Sequence, residues 1–335
     1  MDRPQVGLIG YGYWGPNLAR NFSTNKRCAL KRIVEIDPAR RNKAAQSHPG
    51  VEVTADAADV LGAADIDVVV IATPVSSHFP LAQEALLQGK HVWLEKPITR
   101  TADEAARLVE LASAKNRVLL VDHTFLFTSA VAKIKKVIAS GELGRILYYD
   151  SVRVNLGLIQ SDVNVVWDLA PHDLSVMDHV LQSRVQAISV HGARHFGRYE
   201  EMAHVSLYFE GNVMAHLHVN WLSPVKVRQT LIGGDKKMLV WNDLENEEKI
   251  RIYDKGVDFL PLEDGYQALG QYRIGDMYSP ALETREALAT EVNYFLDCVE
   301  RGESPMNDGL AGWRVVQMLE AADRSLAARG ALVEL

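Results

Sequence analysis

Six short apolar runs alternating with helix-like segments constrain the fold of this 335-residue chain more than any other feature. Residues 6–9, 30–36, 51–54, 67–72, 91–94 and 118–121 are rich in Val, Ile and Leu, the composition of strands covered on both faces, as in a parallel sheet. Helices fit between them. Pro16 sits where a first helical turn tolerates proline, ahead of Leu18, Ala19 and Phe22 on one face. Residues 77–88 carry Phe79, Ala82, Ala85 and Leu86 at helical spacing, and Gly89 follows where a left-handed cap belongs. Thr101 and Glu104 match a capping box. The pattern predicts an α/β fold that begins with a doubly wound parallel sheet and reaches its boundary near Asp122.

The tip of the first strand reads GLIGYGYWGPN. Gly10, Gly12 and Gly15 form G-x-G-x-x-G after a strand and before a helix, the context a dinucleotide-binding turn requires. Gly10 permits the tight turn, Gly12 lets the backbone approach a diphosphate, and Gly15 allows close helix packing. The N–H groups around Tyr13, Trp14 and Gly15 would face that anion at the positive end of the helix. A purely structural turn uses the same glycines. Asp37 lies 22 positions beyond Gly15, where an acid can accept from an adenosine ribose. Such a carboxylate favours NAD over NADP, although Arg40 and Arg41 follow closely enough to receive a phosphate. The structural alternative for Asp37 is a helix cap before Pro38.

Composition narrows the function classes. A net charge of −7 argues against a nucleic-acid footprint. No run approaches ~18 apolar residues, so no membrane span is expected. The two cysteines, Cys28 and Cys298, have no metal-like spacing and suit a reducing compartment, which together with the N-terminus suggests a cytoplasmic protein.

HVWLEKPITR, residues 91–100, places Lys96 between Glu95 and Pro97 just past the fifth run. Lys96 is a surface charge, half of a pair with Glu95, or an ammonium aimed at a ligand. Ligands of doubly wound sheets sit beyond the carboxyl ends of the strands. Thr73, Pro74 and the helix-start His78 belong to the same edge, so with Glu95 and Lys96 they join the candidate cofactor contacts.

The stretch ATPVSSHFPLAQEALLQGKHVWLEKP, residues 72–97, resembles the glucose-fructose oxidoreductase / inositol 2-dehydrogenase / MocA family, whose hallmarks are ATP-x-x-x-H and EKP. The resemblance extends over essentially the whole chain. It implies a Rossmann domain, residues 1–122, followed by an α/β domain with a large, mainly antiparallel sheet, residues 123–335, for substrate binding and assembly. It implies NAD as cofactor, and Lys96 as the group touching the reacting hydroxyl or carbonyl. It also implies association of two or four chains through the second domain's sheet.

The second half fits that expectation. Residues 129–138 read as a helix, and residues 145–155, 185–193, 203–209, 213–221, 227–232 and 237–241 as strands. The last four form two hairpins, turning at Glu210-Gly211-Asn212 and Gly233-Gly234-Asp235. Residues 254–281 are irregular and read as a lid or an intersubunit arm. Two helices close the chain, at 284–300 and 309–328.

Within VVWDLAPHDLSVM, Asp168 and His172 lie four apart and share a face if Asp168 begins a helix. An acid can orient an imidazole and favour its charged form, which suits proton transfer near neutral pH. The family often shows an Asp-x-x-x-His pair here, and Asp168 and His172 match it. Beside Lys96, Asp168 and His172, the candidate substrate contacts are His123, Arg153 and Asn155, each with a structural alternative. His204, His216 and His218 line one sheet face without the further ligands a metal requires, so no metal is expected.

These residues suggest a dehydrogenase in which His172 takes the hydroxyl proton, Lys96 stabilises the alkoxide charge, and Asp168 holds His172. The GYGYWGPN start, NLGLIQSDVNVVWDLAPHDLSVM and the closing EVNYFLDCVERGESPMNDG are similar to the family branch of nucleotide-sugar 3-dehydrogenases. A dehydrogenase of free sugars or inositol, a 3-ketosugar reductase, and an NAD-binding regulatory protein without turnover are the competing readings.

Overall fold

A computed structural model of the protein describes residues 3–157, 159–160, 162–259 and 270–335. The chain divides into two compact units, residues 1–127 with 285–317 and residues 128–284 with 318–335. The first unit thus runs past the boundary at Asp122 read from the sequence, and it takes in 285–317, which that reading gave to the second domain.

The first unit alternates strand and helix: β1 (Gln5–Ile9), α1 (Gly15–Thr24), β2 (Ala29–Val34), α2 (Pro38–Ser47), β3 (Glu52–Thr54), α3 (Ala58–Leu61), β4 (Val68–Ile71), α4 (His78–Leu87), β5 (His91–Glu95), α5 (Ala102–Lys115) and β6 (Leu119–Asp122). The strands form one parallel sheet in the order β3-β2-β1-β4-β5-β6. The continuous apolar run of β4 is explained by burial on both faces, for all four of its residues are inaccessible to solvent, whereas the edge strand β3 is part-exposed. The Thr101 hydroxyl accepts from the N–H of Glu104, as the capping pattern predicts.

In the second unit come α6 (Ser129–Ala139), β7 (Ile146–Leu156), α7 (Val165–Leu181), β8 (Val185–Ala193), β9 (Met202–Phe209), β10 (Met214–Asn220), β11 (Leu222–Gly234), β12 (Met238–Asn242), β13 (Ile250–Tyr253), β14 (Gly256–Phe259), β15 (Gly270–Arg273) and β16 (Met277–Tyr278). After them run α8 (Ala287–Arg301), which belongs to the first unit, α9 (Gly309–Ala327), divided between the units after Gln317, and β17 (Val333–Glu334). A nine-stranded sheet, β16-β13-β12-β11-β7-β10-β9-β8-β17, is antiparallel except where β10 runs parallel to β7. Both expected hairpins, β9 with β10 and β11 with β12, are present. Of the irregular 254–281 stretch, β14 and β15 pair with each other and β16 joins the large sheet, while residues 260–269 lie outside the described residues, as do positions 158 and 161 of the NLGLIQSDVN segment.

The core of the first unit explains why α8 belongs to it. Trp93 of β5 is fully buried and meets the rings of Phe22 and Phe295 edge-on, each at 5.5 Å between centroids. Leu288, Val292 and Leu296 of α8 pack into the same cluster. In the second unit, α7 packs against β7, β9 and β10.

Candidate active site

The site begins at the carboxyl ends of β1 and β2. Gly10 has φ +100°, and a Cβ there would collide with the carbonyl oxygen of Ala72. A Cβ on Gly15 would collide with the carbonyl oxygen of Gly10, so the turn closes tightly on its own helix. At Gly12 a Cβ would meet only the Arg40 guanidinium, 3.7 Å away. Helix α1 starts at this turn with no side-chain cap and no acid in its first turn. Its first N–H groups therefore lack a side-chain acceptor, which is the arrangement that receives a diphosphate. These features fit a dinucleotide. Tyr13 is 91% exposed on the turn, whereas Trp14 is half-buried and donates its Nε1–H to Oδ2 of Asp122, 2.9 Å away.

Asp37 caps α2, its Oδ1 accepting from the N–H of Arg40 at 2.8 Å. The cap takes only one carboxylate oxygen, so it does not compete with a ribose hydroxyl for the other. Behind it, the buried Glu35 carboxylate accepts from the N–H groups of Tyr11 and Asp37, tying the glycine-rich turn to the end of β2. Sequence reasoning missed Glu35, one alternation away from Asp37. Arg41 donates to the carbonyls of Glu35 and Ile36 and so braces the backbone.

At the adjacent edge, the hydroxyl of Ser77 donates to Oγ1 of Thr73, and Pro74 precedes a short turn into α4. His78 is 1% exposed, with Nδ1 2.9 Å from the carbonyl oxygen of Pro97 and Nε2 2.8 Å from that of Thr73. The ring brackets the Thr73 turn to the Lys96–Pro97 turn, whose peptide bond is cis. Its nitrogens face backbone carbonyls, so the expected cofactor contact is replaced by a clamp on the loops. A neutral imidazole donates to one of the two carbonyls at a time.

Lys96 is half-buried at the end of β5. Glu95 beside it pairs in register with Asp122 of β6. Burial, then the nearby Asp122 carboxylate, pushes the Glu95 carboxyl well above the usual range. His123 follows Asp122 and is 1% exposed. Burial lowers its imidazole to about 4, with Asp122 opposing and Lys96 reinforcing that shift.

In the second unit, α7 starts at Val165 rather than Asp168, because Oδ1 of Asn164 accepts from the N–H groups of Val166 and Trp167. Asp323 accepts from both Asn164 and the Trp167 indole and anchors that first turn. Asp168 and His172 lie one turn apart on α7, and Oδ2 of Asp168 accepts from Nε1 of Trp221 at 2.9 Å. A Cβ on Gly157 would touch both Trp221 and the Asn155 amide, so Asn155, Trp221 and Asp168 share one corner of this unit. Trp221 was not singled out from the sequence, although it directly ends the apolar alternation of β10. Arg153 is directed elsewhere, to Asp173, in an ion pair beneath α7.

The rings of His204 and His218 stack at 4.2 Å on paired positions of β9 and β10, with His216 5.6 Å from His204. Among the described residues no group of three or more His, Cys, Asp or Glu could hold a metal. No helix among them is long and apolar enough to cross a membrane.

The sequence matches the profile of the oxidoreductase family with NAD-binding Rossmann fold over residues 5–123, and that of the GFO/IDH/MocA C-terminal domain over residues 131–240. A UDP-N-acetylglucosamine 3-dehydrogenase of Acidithiobacillus ferrooxidans is 24% identical, over 94% of this chain and 95% of that protein. A solved structure of a protein of that name from the same organism superposes with a TM-score of 0.83, covering 98% of this chain and 99% of the other at 23% identity. The scyllo-inositol 2-dehydrogenase (NAD(+)) of Bacillus subtilis is 24% identical over 90% of this chain and 88% of its own. Levoglucosan dehydrogenase in complex with NADH gives a TM-score of 0.83 at 20% identity, over 99% of this chain and 98% of its own. The turn at Gly10–Gly15 is thus that of an NAD-binding Rossmann fold, and the chain belongs to the GFO/IDH/MocA family of oxidoreductases.

Proposed function

We propose that this protein is an NAD-dependent dehydrogenase of a nucleotide-linked sugar, acting on the secondary alcohol at carbon 3. The reading is carried by the fixing of Lys96 at the carboxyl edge of the parallel sheet, where His78 clamps the lysine turn to the Thr73 turn. Gly10, Gly12, Gly15 and the first N–H groups of α1 hold the diphosphate, Asp37 the adenosine ribose, and the Thr73–Pro74 turn a further part of the cofactor. NAD supplies the acceptor or donor of hydride.

The chain's own groups manage charge and proton. Lys96 steadies the negative charge that grows on the carbinol oxygen. His172 takes the hydroxyl proton, and Asp168, itself held by Trp221, keeps that imidazole oriented. In the reducing direction the same groups return the proton. Asn155 and His123 are further sugar contacts in this reading, and like chains associate through the large sheet. The similarity to the UDP-N-acetylglucosamine 3-dehydrogenase along almost its full length supports a nucleotide-linked substrate.

The test is NADH formation with UDP-linked sugars, the matching free sugars and scyllo-inositol. Turnover of the nucleotide-linked members is expected, and it should fall by roughly 100-fold or more in Lys96→Ala. Turnover confined to free sugars or inositol would overturn the substrate class. Unchanged turnover in Lys96→Ala would overturn the role of the ammonium.

A further inference from the structure

Three acids from distant parts of the sequence meet inside the first unit. Glu95 and Asp122 are register partners at the ends of β5 and β6, and Glu291 reaches them from α8. Asp122 is 2% exposed and Glu291 is fully buried. Three adjacent carboxylates could not all remain ionised in such a place.

The hydrogen bonds say which one keeps the charge. Asp122 accepts at both oxygens, from Nε1 of Trp14 at 2.9 Å and from the Thr124 hydroxyl at 2.5 Å. Glu291 accepts at Oε1 from the Asn307 amide, 2.8 Å away, while its Oε2 has no donor among the described residues. A buried carboxylate oxygen without a donor is costly, whereas a carboxylic acid would place its O–H against the neighbouring acid. The causes acting on the two glutamates agree with this assignment. Burial first, and then Asp122, raise both Glu95 and Glu291 far above the usual carboxyl range. The other ionisable groups facing the cluster are Lys96, which acts on Glu95, and His123, which feels both Asp122 and Lys96.

We propose that Glu95, Asp122 and Glu291 form one proton-sharing chain, two carboxylic acids around a single carboxylate, that positions the glycine-rich turn and the lysine turn relative to each other. Asp122 holds the cofactor turn through Trp14, and protonated Glu95, the residue preceding Lys96, ties Asp122 to the lysine turn. Glu291 is a positioning residue that completes the chain from the far side. Losing a proton from either glutamate places two negative charges in contact and loosens both turns, so NAD affinity should fall at alkaline pH. The chemical importance of the lysine turn rests on the function proposed above, whereas the proton count and the link to the cofactor turn do not.

The test uses infrared difference spectroscopy and NADH fluorescence titration on the full chain. Wild-type protein at neutral pH should show protonated-carboxyl carbonyl absorption from two acids, of which Glu291→Gln removes one, and this absorption should be lost on alkaline titration together with NAD affinity. Because glutamine keeps a donor towards Asp122 but cannot ionise, Glu291→Gln should lose less affinity than wild type over the same alkaline range. Absence of this absorption from wild type would overturn the shared-proton assignment, and an alkaline loss of affinity identical in both proteins would overturn the positioning role. Should Glu291→Gln fail to fold, Glu95→Gln serves for the infrared comparison, with loss of a carbonyl band expected and its full retention overturning the assignment. Failure of every sugar in the turnover panel would leave these readouts interpretable.

Discussion

Arg153 and Asp173 form a buried ion pair, Nε to Oδ2 at 2.6 Å, with side chains only 5% and 4% exposed. The Ser151 hydroxyl donates to the other carboxylate oxygen, so the acid is satisfied within the fold. This geometry sets Arg153 apart from the substrate contacts expected of it. Arg153→Met would strand the Asp173 charge and should lower unfolding free energy by about 3–5 kcal/mol, whereas adding Asp173→Leu should recover most of the loss. Denaturant melts of the single and double variants check this, and a stable single variant that loses only turnover would restore a substrate role.

His78 has a different kind of importance, because its ring spans two loops rather than a charge. Replacing it with Ala leaves the carbonyls of Thr73 and Pro97 without their ring partner, a cost of about 1–3 kcal/mol for a buried group. The lysine turn then loses its brace. Turnover should fall more than NADH affinity does, a split that steady-state kinetics and fluorescence titration resolve together. Equal losses in both would mean that the clamp serves cofactor binding alone.

Phe295 tests the assignment of α8 to the first unit. It is fully buried against Trp93, so Phe295→Ala should cost about 3–5 kcal/mol. The unfolding transition that bound NADH raises should be the one that this variant lowers. A shift confined to another transition would separate α8 from the cofactor unit.

What could be read from the sequence was local. The apolar runs located the six parallel strands, most plainly β4, where burial on both faces leaves a composition visible without neighbours, and Gly10 and Thr101 announced their turn and cap by residue type alone. Contacts across long separations left no such mark. Nothing near Asp173 shows that its partner lies twenty positions earlier, and nothing in α8 shows that Phe295 packs on Trp93 or that Glu291 approaches Asp122. The sequence puts Asp168 and His172 on one face on the condition that Asp168 begins a helix, yet the cap belongs to Asn164 and Asp168 lies within the first turn. The parallel pairing of β10 with β7 likewise joins strands far apart in the chain, which hairpin signals cannot reveal.

Partly buried histidines predict how stability responds to acid. Burial lowers His91 and His179 to about 4, from an ordinary value of 6.5, and His91 Nδ1 accepts from the N–H of Val118, which requires the neutral ring. The folded state thus refuses a proton that the unfolded chain accepts below pH 6.5. Their contribution is complete above that pH and is lost progressively as pH falls towards about 4, with a slope of up to about 1.4 kcal/mol per pH unit for each group. His91→Asn retains a side-chain acceptor that does not titrate, so its melting temperature should fall less steeply than wild type between pH 6.5 and about 4. Parallel melting curves for the two proteins across that window would show that His91 is charged in the folded state or contributes nothing to the acid response.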